Sequence, residues 1–361
     1  MDTQYFLSKL QVVRKRPSRI VDYLREPRSI VVGGPFVNQL GLQVFRTCKD
    51  RIAWHARPDY LSEDIRTYHD VMDRDGILVI PDFLPTRDFE QLYAEYKQSR
   101  VNPPANGYKE IVFGDNFLAD ELLVTDRPAQ YPAFIRMLRD NILLQKIASA
   151  VSRRAMTYDP HLSIFHVHKP NPQAPHTDLD YNQFLHSDRH YPFIKCFFYL
   201  EDVNEDNAPY TYARGSHRIT PARLRYEYAY SLRYARIRKG SYRRSFEQLA
   251  ADMQLRELAE ALMREQALRP EPICGKANTM VISNNQGFHA RGPMHSIRPR
   301  VTVNIDFKYL ESHAQWMYPV LKHLYRLGAS ESTGLQIEGE GPFLESTPYD
   351  GYAGTMPAKL S

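Results

Sequence analysis

The chain has 361 residues, 43% of them hydrophobic, with a formal net charge of +5 from 47 Lys and Arg against 42 Asp and Glu. That is enough apolar content for a sizeable core, which excludes a disordered chain. So mild a basic surplus argues against nucleic-acid binding.

The three cysteines, Cys48, Cys196 and Cys274, are widely spaced without a CxxC pair. This excludes a disulfide framework or a zinc ribbon and points to a reducing, cytoplasmic home. No apolar run has the length of a membrane span. The first residues, MDTQYFLSKLQVVRKRP, are amphipathic and basic but lack the apolar stretch and cleavage site of a secretory signal, and they are read as a surface helix.

In chain order, residues 1–60 are expected to form a helical and irregular cover, with a strand or loop through SIVVGGPFVNQLGLQVF. SEDIRTYHDVMDRDG predicts a helix capped by Ser62 and ended by Gly76, followed by the short strand ILVIPDF and a second helix from Thr86. Residues 101–120 are expected to be a loop with one strand at Glu110 to Phe113. PAFIRMLRDNILLQKIASAVSRRA has the helical period, LSIFHVHKP alternates as a strand, and IKCFFYLEDV is apolar enough on both faces for a central strand.

Residues 221–269 interrupt this rhythm with a helical insertion, expected to act as a lid. Its first half is basic and Tyr rich, with Glu227 the one acid between Arg223 and Arg244. Arg236, Arg238 and Tyr234 are its candidates for holding an anionic or carrier-linked substrate, against the alternatives of a solvated basic helix or an oligomer contact. Strands resume at TMVISN and RVTVNIDFKYL, and residues 330–361 are expected to be a loose arm. The separated blocks must meet, so the chain is read as one domain, mainly β with flanking helices.

Several histidines invite metal chemistry. His186 and Asp188, two apart, share one side of an extended segment and can converge on one ion. His176 with Asp178 repeats that pattern, and His166 with His168 is a further pair, suited to zinc or manganese or to lining the cavity beside the true site. His190 and His295 are expected to be solvated or to support the ligands from behind. Two His and one carboxylate on one face of an octahedron are the ligand set of non-heme Fe(II) oxygenases.

Four blocks carry a resemblance: RDGILVIPDFLP, QFLHSDRH, IKCFFYLEDVNEDNAPYTYARGSHR, and the spacing from His289 to Arg300. They resemble the phytanoyl-CoA dioxygenase-like family of Fe(II)/2-oxoglutarate-dependent oxygenases. The resemblance implies a double-stranded β-helix (jelly-roll, cupin-like) core, with Fe(II) and 2-oxoglutarate as cofactors and O2 and a small molecule as substrates. It also implies His186, Asp188 and His289 as metal ligands and Arg300 as the clamp on the far carboxylate of 2-oxoglutarate, with Arg298 as the alternative. His217 would be buried by the fold rather than bound to metal.

Period two from Arg300 places Thr302 and Asn304 on its side, facing the cavity, and Val301, Val303 and Ile305 on the other. Asn207-Ala208-Pro209 and Arg214 depart from the family pattern at turns and not at ligands. Asp188 is retained where the halogenases of the superfamily lose their carboxylate. The alternative function is a metal-binding cupin-type barrel without oxygenase activity, using His166, His168 and His176.

Overall fold

The computed structural model describes residues 38–56, 61–104, 107–113, 117–153, 160–168, 183–237 and 253–307. The expected helices near the N-terminus, the His176 and Asp178 pair, Arg238 and the C-terminal arm lie outside these residues. No helix among those described is long and apolar enough to cross a membrane.

Helix α1 spans Leu42–Ala56 within the expected helical and irregular cover, and its first residues, Leu42 to Phe45, replace the end of the expected strand or loop. Gly41, at φ +84, lets the chain turn into it, and the helix is fixed by partners distant in sequence. Trp54 Nε1 donates to the Val151 carbonyl at 2.9 Å, and Gln43 and Thr47 are buried. Helix α2, Arg66–Asp75, follows a single tight turn at Glu63–Ile65. Ser62 precedes that turn without a side-chain cap bond.

Gly76 ends α2 with φ 75, its N–H bonded to the Met72 carbonyl at 2.9 Å. A Cβ there would overlap His217 and the Tyr212 hydroxyl, so this position requires glycine twice over. Strand β1, Ile77–Ile80, leads to helix α3, Thr86–Val101, whose cap position is occupied by Pro85 rather than Thr86. Strands β2 (Tyr108–Phe113) and β3 (Phe117–Leu123) form a hairpin, and only the first of them was expected. Helix α4, Ile142–Ser152, is capped by the Asn141 side chain, which accepts from Leu144 N at 3.2 Å.

The remaining strands are β4 (His161–Val167), β5 (Ile194–Tyr199), β6 (Tyr210–Ala213), β7 (Pro270–Ile273), β8 (Met280–Asn284), β9 (His289–Arg291) and β10 (Arg300–Asp306). Among the described residues they make two antiparallel sheets, a seven-stranded one ordered β1-β8-β5-β10-β4-β3-β2 and a three-stranded one ordered β7-β6-β9. β5 is central as predicted, between β8 and β10. Helices α5 (Pro221–Ile237) and α6 (Met253–Glu265) form the described part of the insertion.

Alternation divides the large sheet into two faces. Leu162, Ile164, Cys196, Phe198, Met280, Ile282, Val301, Val303 and Ile305 join the main core with apolar residues of α2, α3 and α4. The other face packs on the small sheet, where Tyr199 and Val281 meet Tyr210, Tyr212 and Ile273. Thr302 and Asn304 stand on this inner side, buried, as the period from Arg300 predicts. The result is a sheet-rich protein with helices outside and a polar strip inside.

Two histidines are stored neutral in this frame. His166 and His217 are buried, and burial pushes their pKa down to about 3 and about 4. Each takes up a proton below about pH 6.5 only when the chain unfolds, so each withdraws up to about 1.4 kcal/mol of stability per pH unit as acid is added. In urea titrations of the metal-free protein, the unfolding midpoint should fall as the pH drops from 6.5 to about 4. His217→Gln, which keeps a donor for the Asp73 carbonyl, should make that fall shallower.

Candidate metal centre

The centre begins as a backbone pairing. His186 and His289 face one another as an isolated antiparallel bridge, with N–H to carbonyl distances of 3.0 and 2.9 Å in the two directions. One partner precedes β5 and the other opens β9, so chain closure brings the two imidazoles to a centroid separation of 4.4 Å. Asp188, two residues after His186, is held by its own N–H on the Asn285 carbonyl at 3.0 Å.

The rings are turned by the same device. His186 Nδ1 lies 2.7 Å from the Phe184 carbonyl, and His289 Nδ1 lies 3.0 Å from the Gly287 carbonyl. A carbonyl oxygen can only accept, so each Nδ1 carries the proton and each Nε2 keeps its lone pair. Those two nitrogens lie 3.7 and 3.4 Å from Asp188 Oδ1. One donor atom from each of the three residues falls within 4.8 Å of the others, a donor set that fits a single ion of the Fe(II) class.

The second carboxylate oxygen is occupied differently. Asp188 Oδ2 accepts from Lys195 Nζ at 2.9 Å and from Asn285 Nδ2 at 2.8 Å. Burial alone would raise the Asp188 carboxyl, but the Lys195 ammonium and then His289 hold it well below the usual carboxylate range. Burial, and next the charge of His289, pushes His186 down to about 4. At neutral pH the site therefore offers a carboxylate and a neutral imidazole to a cation. The Tyr210 hydroxyl donates to Asn285 Oδ1 at 3.1 Å, fixing the amide that fixes Asp188.

Beneath the loop stands the insertion. Arg223 is fully buried, and its Nη2 donates to Ser187 Oγ, between the two expected ligands, at 2.7 Å. Its Nε donates to Glu227 at 2.9 Å, and Glu227 in turn accepts from Gln43 of α1 at 3.0 Å. His190 is buried rather than solvated, with Nε2 at 2.8 Å from Asp50 of α1, and its carbonyl accepts from Gln286 at 2.8 Å. The start of the basic run is thus an internal brace, while Arg225 farther out pairs with Glu265 of α6 at 2.6 Å.

The other expected residues divide sharply. Arg300 opens β10 on the inner face and donates to the Ala208 carbonyl, while Arg298 is exposed. Arg291, two residues beyond His289 and also buried, was not anticipated; burial and then the nearby Arg300 charge push its guanidinium well below its ordinary value. His217 is buried without contact to the metal group, its Nε2 at 3.1 Å from the Asp73 carbonyl, and His295 is exposed. His166 does not line the cavity. It lies on the outer face between the rings of Tyr96 and Tyr108, at 5.6 and 5.5 Å. Tyr234 and Arg236 belong to α5, but their side chains lie outside the described ones, as does the whole of Arg238.

Two antiparallel sheets with a pair of imidazoles and one carboxylate at their inner edge make a candidate site for a single metal ion. The family model for phytanoyl-CoA dioxygenase matches residues 72–300, and the chain belongs to that family. A search of the curated proteins returns no match.

Among solved structures, the chain is similar to the non-heme alpha ketoglutarate dependent carbocyclase SnoK from nogalamycin biosynthesis, with 16% identity, TM-score 0.43, and coverage of 79% of this chain and 97% of that one. It is also similar to EctD from S. alaskensis with bound Fe, at 15% identity, TM-score 0.42, and 70% and 78% coverage. The alpha ketoglutarate dependent epimerase SnoN shows 12% identity, TM-score 0.42, and 68% and 83% coverage.

Lys195 and Arg223 generate distinct expectations. Lys195→Met leaves Asp188 without its cation and should weaken Fe(II) binding by about 10- to 100-fold, measured by competition with a chromophoric chelator. Arg223→Met leaves Glu227 buried without its ion-pair partner and should lower stability by roughly 3–5 kcal/mol in urea titration.

Proposed function

We propose that this protein is an Fe(II)- and 2-oxoglutarate-dependent dioxygenase that hydroxylates a small molecule, and that its two sheets form a double-stranded β-helix. His186, Asp188 and His289 are the iron ligands in this proposal. The observation that carries it is the orientation of the two rings, each locked through Nδ1 to a backbone carbonyl so that Nε2 turns toward Asp188 Oδ1. Membership in the phytanoyl-CoA dioxygenase family supports the same chemistry.

Each residue then has a defined task. Asp188 gives one oxygen to the metal and keeps the other on Lys195 and Asn285, which prevents it from rotating. Three protein ligands leave positions open for co-substrate and oxygen. Arg300 holds the far carboxylate of 2-oxoglutarate through a guanidinium fork. The buried Arg291 lies near enough to the half-buried Arg300 for their charges to interact, which makes the region cationic and suited to an anionic co-substrate.

When bound, the iron and 2-oxoglutarate supply oxidation of the substrate coupled to decarboxylation of the co-substrate to succinate and carbon dioxide. Tyr210, whose ring lies 5.5 Å from that of His289, places an aromatic wall beside the site, where this chemistry requires limited access of water. An anionic or carrier-linked substrate, expected from Arg236, Arg238 and Tyr234, is kept as the proposed class. It is tested by succinate release across free acids, CoA thioesters and carrier-bound acyl groups; failure of every anionic compound to raise turnover above background would overturn it.

Anaerobic titration with Fe(II) and 2-oxoglutarate should produce a visible charge-transfer band. His186→Ala with Asp188→Ala should abolish that band, and no band in the parent protein would overturn the proposal. Arg300→Ala should leave Fe(II) binding intact while raising the 2-oxoglutarate requirement at least about tenfold, the loss of one charge-assisted bidentate contact.

A further inference from the structure

A second group of metal-binding side chains lies on the opposite side of the large sheet from the candidate iron centre. Asp120 of β3, His166 of β4 and His168 just after β4 place one ligand atom each within 4.8 Å of one another. Asp120 and His166 face each other across the β3–β4 ladder, and His168 follows two residues on, so all three project from the outer face. Phe165 and Val167, which alternate with them, belong to the inner cluster with Ala208 and Met294. The two candidate centres are therefore on different faces of one sheet.

His166 supplies the independent sign of a ligand. It is 1% exposed, and its Nε2 is buried with no hydrogen-bond partner. A buried polar atom without a partner is destabilising unless a ligand satisfies it. His168 Nε2 already stands 2.9 Å from Asp120 Oδ2, so carboxylate and second imidazole are assembled beside it. Tyr96 and Tyr108 enclose the His166 ring, and Arg100, stacked over Tyr108 at 5.1 Å, is the opposing charge nearby. Burial keeps the His166 imidazole neutral and so competent to ligate.

We propose that Asp120, His166 and His168 form a zinc site, with two imidazoles and one carboxylate leaving a fourth tetrahedral position for water. Zinc there ties β3 to β4 near the edge of the sheet closed by β2. The site is independent of the iron centre.

The test uses full-length His186→Ala with Asp188→Ala, which removes the candidate iron ligands, stripped of metal and titrated with Zn(II) against a chromophoric chelator. One equivalent should bind, with an X-ray absorption spectrum of oxygen and imidazole ligands, and the melting temperature should rise by several degrees. Adding His168→Gln, at a partly exposed position, should weaken binding at least about tenfold, as removal of a ligand must. Asp120→Asn provides the same comparison if His168→Gln fails to keep the metal-free melting temperature. Absence of bound zinc, or zinc affinity unchanged by both substitutions, overturns the proposal.

Discussion

Asp188 must stay ionised in a half-buried place while leaving one oxygen uncommitted, and the surrounding structure serves that demand. An isolated carboxylate taken out of water is costly enough that it would ordinarily take up a proton. Lys195 answers this with a buried ammonium on Oδ2, and Asn285 adds a neutral donor to the same oxygen. Concentrating both donors on one oxygen leaves Oδ1 facing the two Nε2 atoms. Lys195 can do this only because it alternates inward from a central strand whose outer residues, Ile194, Cys196 and Phe198, are locked into the main core.

The same logic explains why the loop bearing His186 and Asp188 is so heavily braced. It is neither helix nor extended strand, so its geometry must come from side chains. Arg223 reaches Ser187 from α5, Glu227 neutralises Arg223, and Gln43 reaches Glu227 from α1. On the other flank, His190 bonds to Asp50 of α1 and to Gln286. A charged residue at the start of a basic helix thereby becomes an internal tie. Packing of Tyr226 against Phe288, at 4.8 Å between ring centroids, joins the insertion to the residue before His289. The insertion and the metal loop are a single packed unit at this end.

How much of this was legible follows from which interactions are local. The inward Arg300 with Thr302 and Asn304, the central place of β5 and the stop at Gly76 are fixed by period and by single-residue conformational rules, and sequence alone predicts them. The His-x-Asp pair at His186 and Asp188 shares its pattern with His176 and Asp178, and only the resemblance of the flanking blocks selects it. The start of the helix at Leu42–Ala56 is not predicted in this way, because the apolar run that reaches Phe45 from Gly33-Gly34-Pro35 fits a strand or loop as well, and the helix is held by a distant partner, Trp54 on Val151. Lys195 carried a readable signal, a lone cation in an apolar strand at a position alternating inward. Arg223 carried none: the run between Arg223 and Arg244 looks uniformly solvated, and only the fold distinguishes the buried arginine from Arg225, its exposed neighbour.

His166 shows why a pattern and its side of the sheet must be separated. Period two correctly puts His166 and His168 on one face, but it does not say which face, since β4 is buried on both. The decision belongs to the neighbours: Leu162 and Ile164 precede His166 on the same side and enter the helix-covered core, so His166 must follow them outward. This removes the pair from competition for the candidate iron site, because the sheet itself stands between the two groups. It also makes the inward-facing ligands distinctive, since the pairing that aims them, His186 against His289, lies just beyond the regular ladder, where backbone carbonyls remain available to orient imidazoles.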